Sequence, residues 1–226
     1  MMNDIVIFCD FDGTITTEDT IDKLLEIYAD KKWLEIEELW EEGKIGSKEC
    51  LERQLDCINN FSEELLNEFI DSIKIDNTFI EFIHNIKAQN IDFYIISDGF
   101  KLFIEKILEK NGIKDIKIFS NRITLDNDKL IASFPHNRTA CEAQAGMCKC
   151  NTIKNIALER KIIYIGDGRS DMCASKHADI LYAKKKLADY CSNRSIDFIK
   201  FENFNDVQQS LAQEVNFNVE AGYAIR

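Results

Sequence analysis

The chain carries one proline, Pro135, and nine glycines in 226 residues, with no internal repeat and no low-complexity segment. A repeat array and a disordered low-complexity chain are excluded, and the length fits one large domain or a core domain with a smaller insert. No apolar stretch approaches the roughly 18 residues that a membrane helix needs. The amino terminus, Met1-Met2-Asn3-Asp4 ahead of a short apolar run, does not resemble a signal peptide, so the expected location is the cytoplasm. Basic residues are the minority: 28 Lys and Arg against 40 Asp and Glu leave a formal charge of −12 and a pI near 4.8. Such a surface repels nucleic acid and anionic membranes, so neither is an expected partner. An anionic small molecule must then meet locally placed positive charge. The eight cysteines include no Cys-x-x-Cys pair. In a reducing compartment they are expected as thiols, with Cys9, Cys50, Cys57, Cys173 and Cys191 as small, mostly buried side chains.

Against these absences stands one dense stretch, Ile5-Val6-Ile7-Phe8-Cys9-Asp10-Phe11-Asp12-Gly13-Thr14. Five apolar residues, β-branched at the first three, read as a strand buried on both faces, the middle of a parallel sheet. The strand runs into two carboxylates two positions apart. In extended geometry both project to the same side, at the carboxyl edge where open α/β sheets bind ligands. Paired carboxylates there repel unless a cation lies between them or one is protonated. A hard divalent ion with oxygen ligands, Mg²⁺, resolves the conflict. Gly13 permits a sharp turn, and Thr14 brings a hydroxyl and an amide. Asp-x-Asp-Gly also occurs in EF-hand calcium loops, but those follow a helix and place glycine at the sixth position. Here a strand precedes and the glycine is fourth.

Past Thr14, Thr16 or Thr17 is expected to cap a helix opening with Glu18 and Asp19. Helical spacing of apolar residues continues to about Asp76, broken at Gly43 and Gly46 and at Asn59-Asn60. The expected organisation is a small all-helical cap over 16–76, inserted into an α/β core made of 1–15 and 77–226. In the core, a helix around Phe79–Ile86 leads to a strand Ile91–Ile96 that stops at Ser97-Asp98-Gly99. A further helix, a short strand Ile116–Phe119 and a hairpin (Ile123–Leu125 and Leu130–Ala132) follow. A helix from about Thr152 to Arg160 leads to the strand Lys161–Ile165, stopping at Gly166-Asp167-Gly168-Arg169-Ser170-Asp171. A helix Met172–His177 and a strand Ile180–Ala183 come next, and beyond about Gln213 no pattern is informative. Alternation of this kind makes a layered α/β fold with a parallel sheet.

Three buried strands thus end in polar turns, and ends of parallel strands lie side by side. Asp10, Asp167 and Asp171 together suit an octahedral cation site. Ser97, with the neighbouring amides of Asp98 and Gly99 at a helix start, suits a phosphoryl group, as do Gly13 and Thr14. Each turn alone is a weak signal, because an aspartate after a strand is often only a helix cap.

The three turns in this order resemble the haloacid-dehalogenase superfamily of phosphatases, in its phosphoserine-phosphatase-like group with a helical cap after the first strand. The resemblance implies a three-layer Rossmann-like core with a parallel sheet, and a Mg²⁺-dependent hydrolysis of a small phosphorylated metabolite. It implies Asp10 as the nucleophile that forms an aspartyl-phosphate, and Asp12 as the acid that protonates the leaving oxygen and then activates water. It further implies that Asp10, the Asp12 carbonyl and Asp167 hold Mg²⁺ with Asp171 in support. A lysine is expected on the nucleophile and the transferring group; Lys149 matches by position, with Lys154 as runner-up.

The same resemblance assigns substrate choice to the cap. Asp19 stands where phosphoserine phosphatases carry an acidic residue, and Gln54 where they carry an arginine for the substrate carboxylate. Arg53 is adjacent but points about 100° away on a helix. Around Pro135-His136 and Cys148-Lys149 the chain resembles instead two sister groups. One acts on 2-hydroxy-3-keto-5-methylthiopentenyl-1-phosphate in methionine salvage, the other on phosphocholine, phosphoethanolamine or pyridoxal phosphate. A phosphometabolite-binding protein without catalysis is a reading from a different class; such a protein is expected to have lost a charged catalytic group, and none is missing. His136, Cys141, Cys148 and Cys150 have zinc-ligand chemistry, but without a Cys-x-x-Cys pair simple packing is the plainer reading.

Overall fold

Strand β1 (Ile5–Cys9) buries both of its faces, and its side chains divide by alternation between two apolar layers. Ile7 and Cys9 enter one layer, Val6 and Phe8 the other. A strand so placed must have a neighbour on each edge. In this computed structural model, which describes residues 4–214, β1 pairs in parallel with β2 (Asp92–Phe100) on one side and β5 (Lys161–Gly166) on the other. The whole sheet has seven strands in the order β4-β3-β2-β1-β5-β6-β7. Here β3 is Lys117–Asp126, β4 Lys129–Ser133, β6 Ile180–Ala183 and β7 Ile199–Lys200. Every pairing is parallel except that of β4 on β3. The expected layered α/β fold with a parallel sheet is the one found.

Helices close both faces. On one, α5 (Thr78–Ala88), α6 (Lys101–Lys110) and α9 (Phe204–Glu214) meet the sheet through aromatic packing. Phe204 lies 4.9 Å from Phe79 and 5.1 Å from Phe82 between ring centroids, so the last helix is pinned to α5. Each such ring buried contributes about 1.5–3 kcal/mol. On the other face lie α7 (Lys149–Ala157) and α8 (Lys185–Asn193), through Ile153, Ala157, Leu187 and Cys191. Four helices fall between β1 and α5: α1 (Thr20–Tyr28), α2 (Trp33–Glu41), α3 (Ser47–Leu55) and α4 (Glu63–Ser72). The chain enters and leaves this group side by side: Thr16 and Ile75 form an antiparallel bridge, and Asp76 N–H donates to Ile15 O at 2.8 Å. Among the described residues no helix is long and apolar enough to cross a membrane.

Several local expectations are corrected. Neither Thr16 nor Thr17 caps α1; Thr16 Oγ1 donates toward Glu18 O and Phe11 O and accepts from Gly13 N–H. Asp19 is the cap, accepting from the Ile21 and Asp22 amides at 2.8 and 3.1 Å. The strand and hairpin arm expected separately over 116–125 form the single strand β3. Its interior polar residues Ser120 and Asn121 are buried, Asn121 by donating to Asp98. Strand β2 likewise continues through Ser97-Asp98-Gly99 to Phe100. Helix α7 begins at Lys149, not Thr152. In place of one helix over 172–177 there are two 3₁₀ turns, Arg169–Asp171 and Ala174–His177, because the Asp171 carboxylate gathers the Asp167 and Gly168 amides and winds the chain tightly. The sulfurs of Cys150 and Cys173, expected as separate thiols, are in contact with each other. Among the described residues His136, Cys141, Cys148 and Cys150 form no metal-ligand group. The stretch after Gln213 lies, from residue 215, outside the described residues.

Candidate active site

The register of β1 with β5 sets Cys9 opposite Ile165, so the two strands end together and Asp10 lies beside Gly166-Asp167. Asp10 N–H extends the ladder by donating to Ile165 O at 2.9 Å. Pairing of Cys9 with Ile95 brings Ser97 to the same edge. Four charged side chains converge there with almost no exposure: Asp10 at 4%, Lys149 at 3%, Asp167 at 7% and Asp171 at 0%. Burying that much charge is costly unless it is paired, and here it is. Lys149 Nζ lies 2.8 Å from Asp10 Oδ1 and 2.7 Å from Asp171 Oδ1, and donates to Ser170 Oγ at 3.0 Å. Asp171 is saturated: its Oδ1 also accepts from the Tyr164 hydroxyl, and its Oδ2 from the Asp167 and Gly168 amides, both at 3.0 Å. It is built to hold Lys149 and the turn rather than to react.

The electrostatics follow from this pairing. Burial pushes the Asp10 carboxyl well up, with Asp171 adding to the rise and Lys149 opposing it. Burial works against Asp171 too, but Lys149 and the donors Tyr164 and Gly168 hold it below the ordinary carboxylate range. Lys149 is desolvated, yet Asp10 and Asp171 raise its pKa and keep it charged. Asp167 is raised by burial and by Asp171, and partly relieved by Lys185 and Thr14. Carboxylate oxygens of Asp10, Asp167 and Asp171 all lie within 4.8 Å of one another. Asp10 Oδ2 and the Asp12 carbonyl receive no hydrogen bond from the described residues. An all-oxygen donor set of this kind, negative and buried, suits a hard divalent cation.

Asp12 is placed differently from Asp10. Its Oδ1 accepts from the Thr20 hydroxyl and, at 3.2 Å, from the Thr20 amide; its Oδ2 accepts from Ser97 Oγ at 2.9 Å. Thr20 is the first residue of α1, so the orientation of Asp12 depends on the insert. Two glycines make room: a Cβ on Gly99 would collide with Asp12 Oδ2, and one on Gly13, at φ +70°, with Asp167 Oδ2. Of the hydroxyls expected to bind phosphate, Ser97 donates to Asp12 Oδ2 and Thr14 to Asp167 Oδ1 at 2.8 Å. Gly99 N–H donates to Ser97 Oγ at 2.8 Å. Asp98 lines the cavity while its Oδ1 accepts from Met147 N–H at 2.7 Å, fixing the segment that leads to Lys149.

Above these residues is a cavity of about 250 Å³, floored by the core and roofed by the insert. At the rim of the cavity the roof is tied to the core by contacts on opposite sides. Arg169 stacks on Trp40, 5.4 Å from its ring centroid, and donates to Glu41 O at 2.6 Å, while Lys186 pairs with Glu41 at 2.8 Å. On the opposite rim Gly146 N–H donates to Ser47 Oγ at 3.0 Å. Of the expected cap residues, Asp19 and Gln54 reach the cavity. Arg53 does not: it pairs with Glu49 one turn away on the outer surface, as its angular position on the helix requires. Lys154, the alternative lysine, has no part in the cluster.

Residues not singled out from the sequence complete the site: Thr20, Glu37, Lys185 and Tyr164. Lys185 Nζ lies 3.0 Å from Asp167 Oδ2 and 2.8 Å from Gly13 O. A signal existed for Glu37. At i+4 from Trp33 and i−3 from Trp40, its carboxylate falls inside the apolar arc of α2, an unfavourable place unless it faces a cavity.

A family model described as Putative Phosphatase matches residues 5–212. A protein of Bacillus thuringiensis named 2-hydroxy-3-keto-5-methylthiopentenyl-1-phosphate phosphatase is 31% identical over 210 residues, covering 92% of this chain and 95% of the relative. The protein of that name in Bacillus velezensis is 29% identical over 209 residues, covering 91% and 89%. Among solved structures, a substrate-bound phosphoserine phosphatase superposes with a TM-score of 0.69 at 19% identity, covering 92% of this chain and 98% of that one. A haloacid-dehalogenase-family hydrolase of Salmonella enterica gives 0.71 at 20% identity, covering 93% and 70%.

Proposed function

Because the chain belongs to the putative-phosphatase family and has the haloacid-dehalogenase fold, we propose that it hydrolyses a small phosphomonoester through an aspartyl-phosphate on Asp10. The observation that carries the mechanism is the buried pairing of Asp10 with Lys149 at 2.8 Å on the floor of a cavity. A carboxylate held in that way by one oxygen has the other available for in-line attack on phosphorus. The phosphoryl–oxygen bond of the substrate breaks as the Asp10–phosphorus bond forms. Asp12, aimed by Thr20 and Ser97, gives a proton to the departing oxygen, then takes one from the water that attacks the acyl-phosphate. Phosphate leaves and Asp10 is restored.

Asp10, the Asp12 carbonyl and Asp167 are the residues that would hold Mg²⁺, with Asp171 and Thr14 supporting them. The ion, when bound, offsets the negative charge of the phosphoryl group and of the three buried carboxylates. Lys149 adds positive charge at the transferring group. Helices α1–α4 act as a cap over 16–76 that excludes water from the cavity.

For the substrate, the relatives' printed name and their coverage of nearly the whole chain support 2-hydroxy-3-keto-5-methylthiopentenyl-1-phosphate. Phosphoserine fits the cavity less well, because Gln54 stands where a carboxylate needs an arginine and bonds Glu37 instead. The test is a phosphate-release screen with Mg²⁺ over that compound, phosphocholine, phosphoethanolamine, pyridoxal phosphate and phosphoserine, with and without EDTA. The expected result is fastest release from the methylthiopentenyl compound and none in EDTA. Fastest release from phosphoserine would overturn the substrate assignment, and undiminished release in EDTA the metal requirement.

A further inference from the structure

The roof of the cavity has a charge pattern that the hydrolytic chemistry does not use. Glu37, on α2, is half-buried and lines the cavity. Its Oε2 accepts from Gln54 Nε2 at 2.9 Å and from Cys50 Sγ at 3.8 Å, and Gln54 is itself 2% exposed. A buried amide therefore fixes this carboxylate in place, while its Oε1 accepts nothing from the described residues. Asp22, in the first turn of α1, presents a second carboxylate to the cavity, with no hydrogen-bond or ion-pair partner for it among the described residues.

The cations that reach the cavity are already engaged. Arg169 is held by Trp40 and the Glu41 carbonyl, Lys186 by the Glu41 carboxylate, and Lys185 by Asp167 and the Gly13 carbonyl. Lys149 is committed to the floor, between Asp10 and Asp171. A ligand whose phosphoryl group rests on that floor thus meets, at its other end, two carboxylates whose neighbouring cation, Lys186, is already paired with Glu41.

Resting on the phosphatase reading above, we propose that Glu37 is a specificity-determining residue and Gln54 the residue that positions it. Together they exclude phosphoesters with a carboxylate at the far end and select those whose far end donates hydrogen bonds through hydroxyl or ammonium groups. Like charges brought together in a partly desolvated cavity repel strongly, whereas a donor meets a pre-aimed carboxylate oxygen.

The test uses two-carbon inhibitors of matched length against wild-type hydrolysis of p-nitrophenyl phosphate in Mg²⁺: 2-hydroxyethylphosphonate, 2-aminoethylphosphonate and phosphonoacetate. The carboxylate compound is expected to inhibit at least about tenfold more weakly than the other two. Glu37→Gln, which keeps the shape and the contact with Gln54, is expected to narrow that gap several-fold. Equal inhibition of the wild type by all three overturns the inference without any variant, and so does an unchanged gap in folded Glu37→Gln. Wild-type protein that releases phosphate in Mg²⁺ from none of the compounds in the screen above, nor from p-nitrophenyl phosphate, overturns the phosphatase reading and this inference together. Hydrolysis with equal inhibition overturns this inference alone.

Discussion

The ammonium of Lys149 lies 2.8 Å from Asp10 Oδ1, and neither side chain is more than 5% exposed. An ion pair so deep contributes little net stability while intact, but losing one partner strands the other. Lys149→Met leaves Asp10 and Asp171 facing each other without a cation. Stability should fall by about 3–5 kcal/mol in thermal or urea unfolding without metal. The turnover number should fall about 10²–10³-fold, since the transferring phosphoryl group loses its main fixed positive charge.

Thr20 connects the insert to Asp12 through both its hydroxyl and its amide. Thr20→Val keeps the size and the amide but removes the hydroxyl. The expected outcome is a turnover number lowered about tenfold with KM nearly unchanged, because Asp12 is misaimed rather than the substrate loosened. Asp12→Asn should cost about 10²–10⁴-fold. A Thr20→Val, Asp12→Asn double variant no slower than Asp12→Asn alone would show that Thr20 acts through Asp12.

Partial desolvation at the cavity wall, together with Glu37, Glu26 and Asp12, pushes Asp22 from 3.8 up to about 6, with Lys186 pulling the other way. A carboxyl raised on folding binds its proton more tightly in the folded state. Its contribution to stability is therefore full below the ordinary carboxylate range and is lost as pH rises through about 6. Asp22→Asn should melt higher than wild type at about pH 7.5 and no higher at about pH 4, to a small extent because the outer edge of Asp22 meets solvent. Melting curves across that range check the sign.

Gln54→Arg puts a cation against Glu37 and into the cavity. Phosphoserine hydrolysis should improve about tenfold relative to the best substrate, measured as the ratio of kcat/KM values. No change in that ratio would mean that the carboxylate of phosphoserine does not approach Gln54.

The chemistry was more legible in the chain than the pocket. Ile5–Cys9, Phe93–Ile96 and Ile162–Ile165 are apolar runs that only a sheet interior accommodates, so the polar residues that follow them had to meet at one edge. That argument finds Asp10, Asp12, Ser97, Asp167 and Asp171, and the resemblance carries it to Lys149. Boundaries failed where tertiary hydrogen bonds overrode local preference. Thr16 is a fair helix cap by type, but its hydroxyl is drawn to Phe11 and Glu18, so the role passes to Asp19. Ser120 and Asn121 read as a break between strands, yet Asn121 is buried because Asp98 accepts from it across the sheet. The roof was least legible. Glu37 and Gln54 are on different helices, and nothing local to either shows that the two side chains meet.

The account rests on Asp10 as the group that takes the phosphoryl. Phosphate release by Asp10→Asn in Mg²⁺, compared with wild type on p-nitrophenyl phosphate, tests it most directly. The amide keeps the shape and the neighbours of the carboxyl but is not a nucleophile toward phosphorus. The account predicts no measurable turnover from a folded variant; substantial hydrolysis by Asp10→Asn would contradict it.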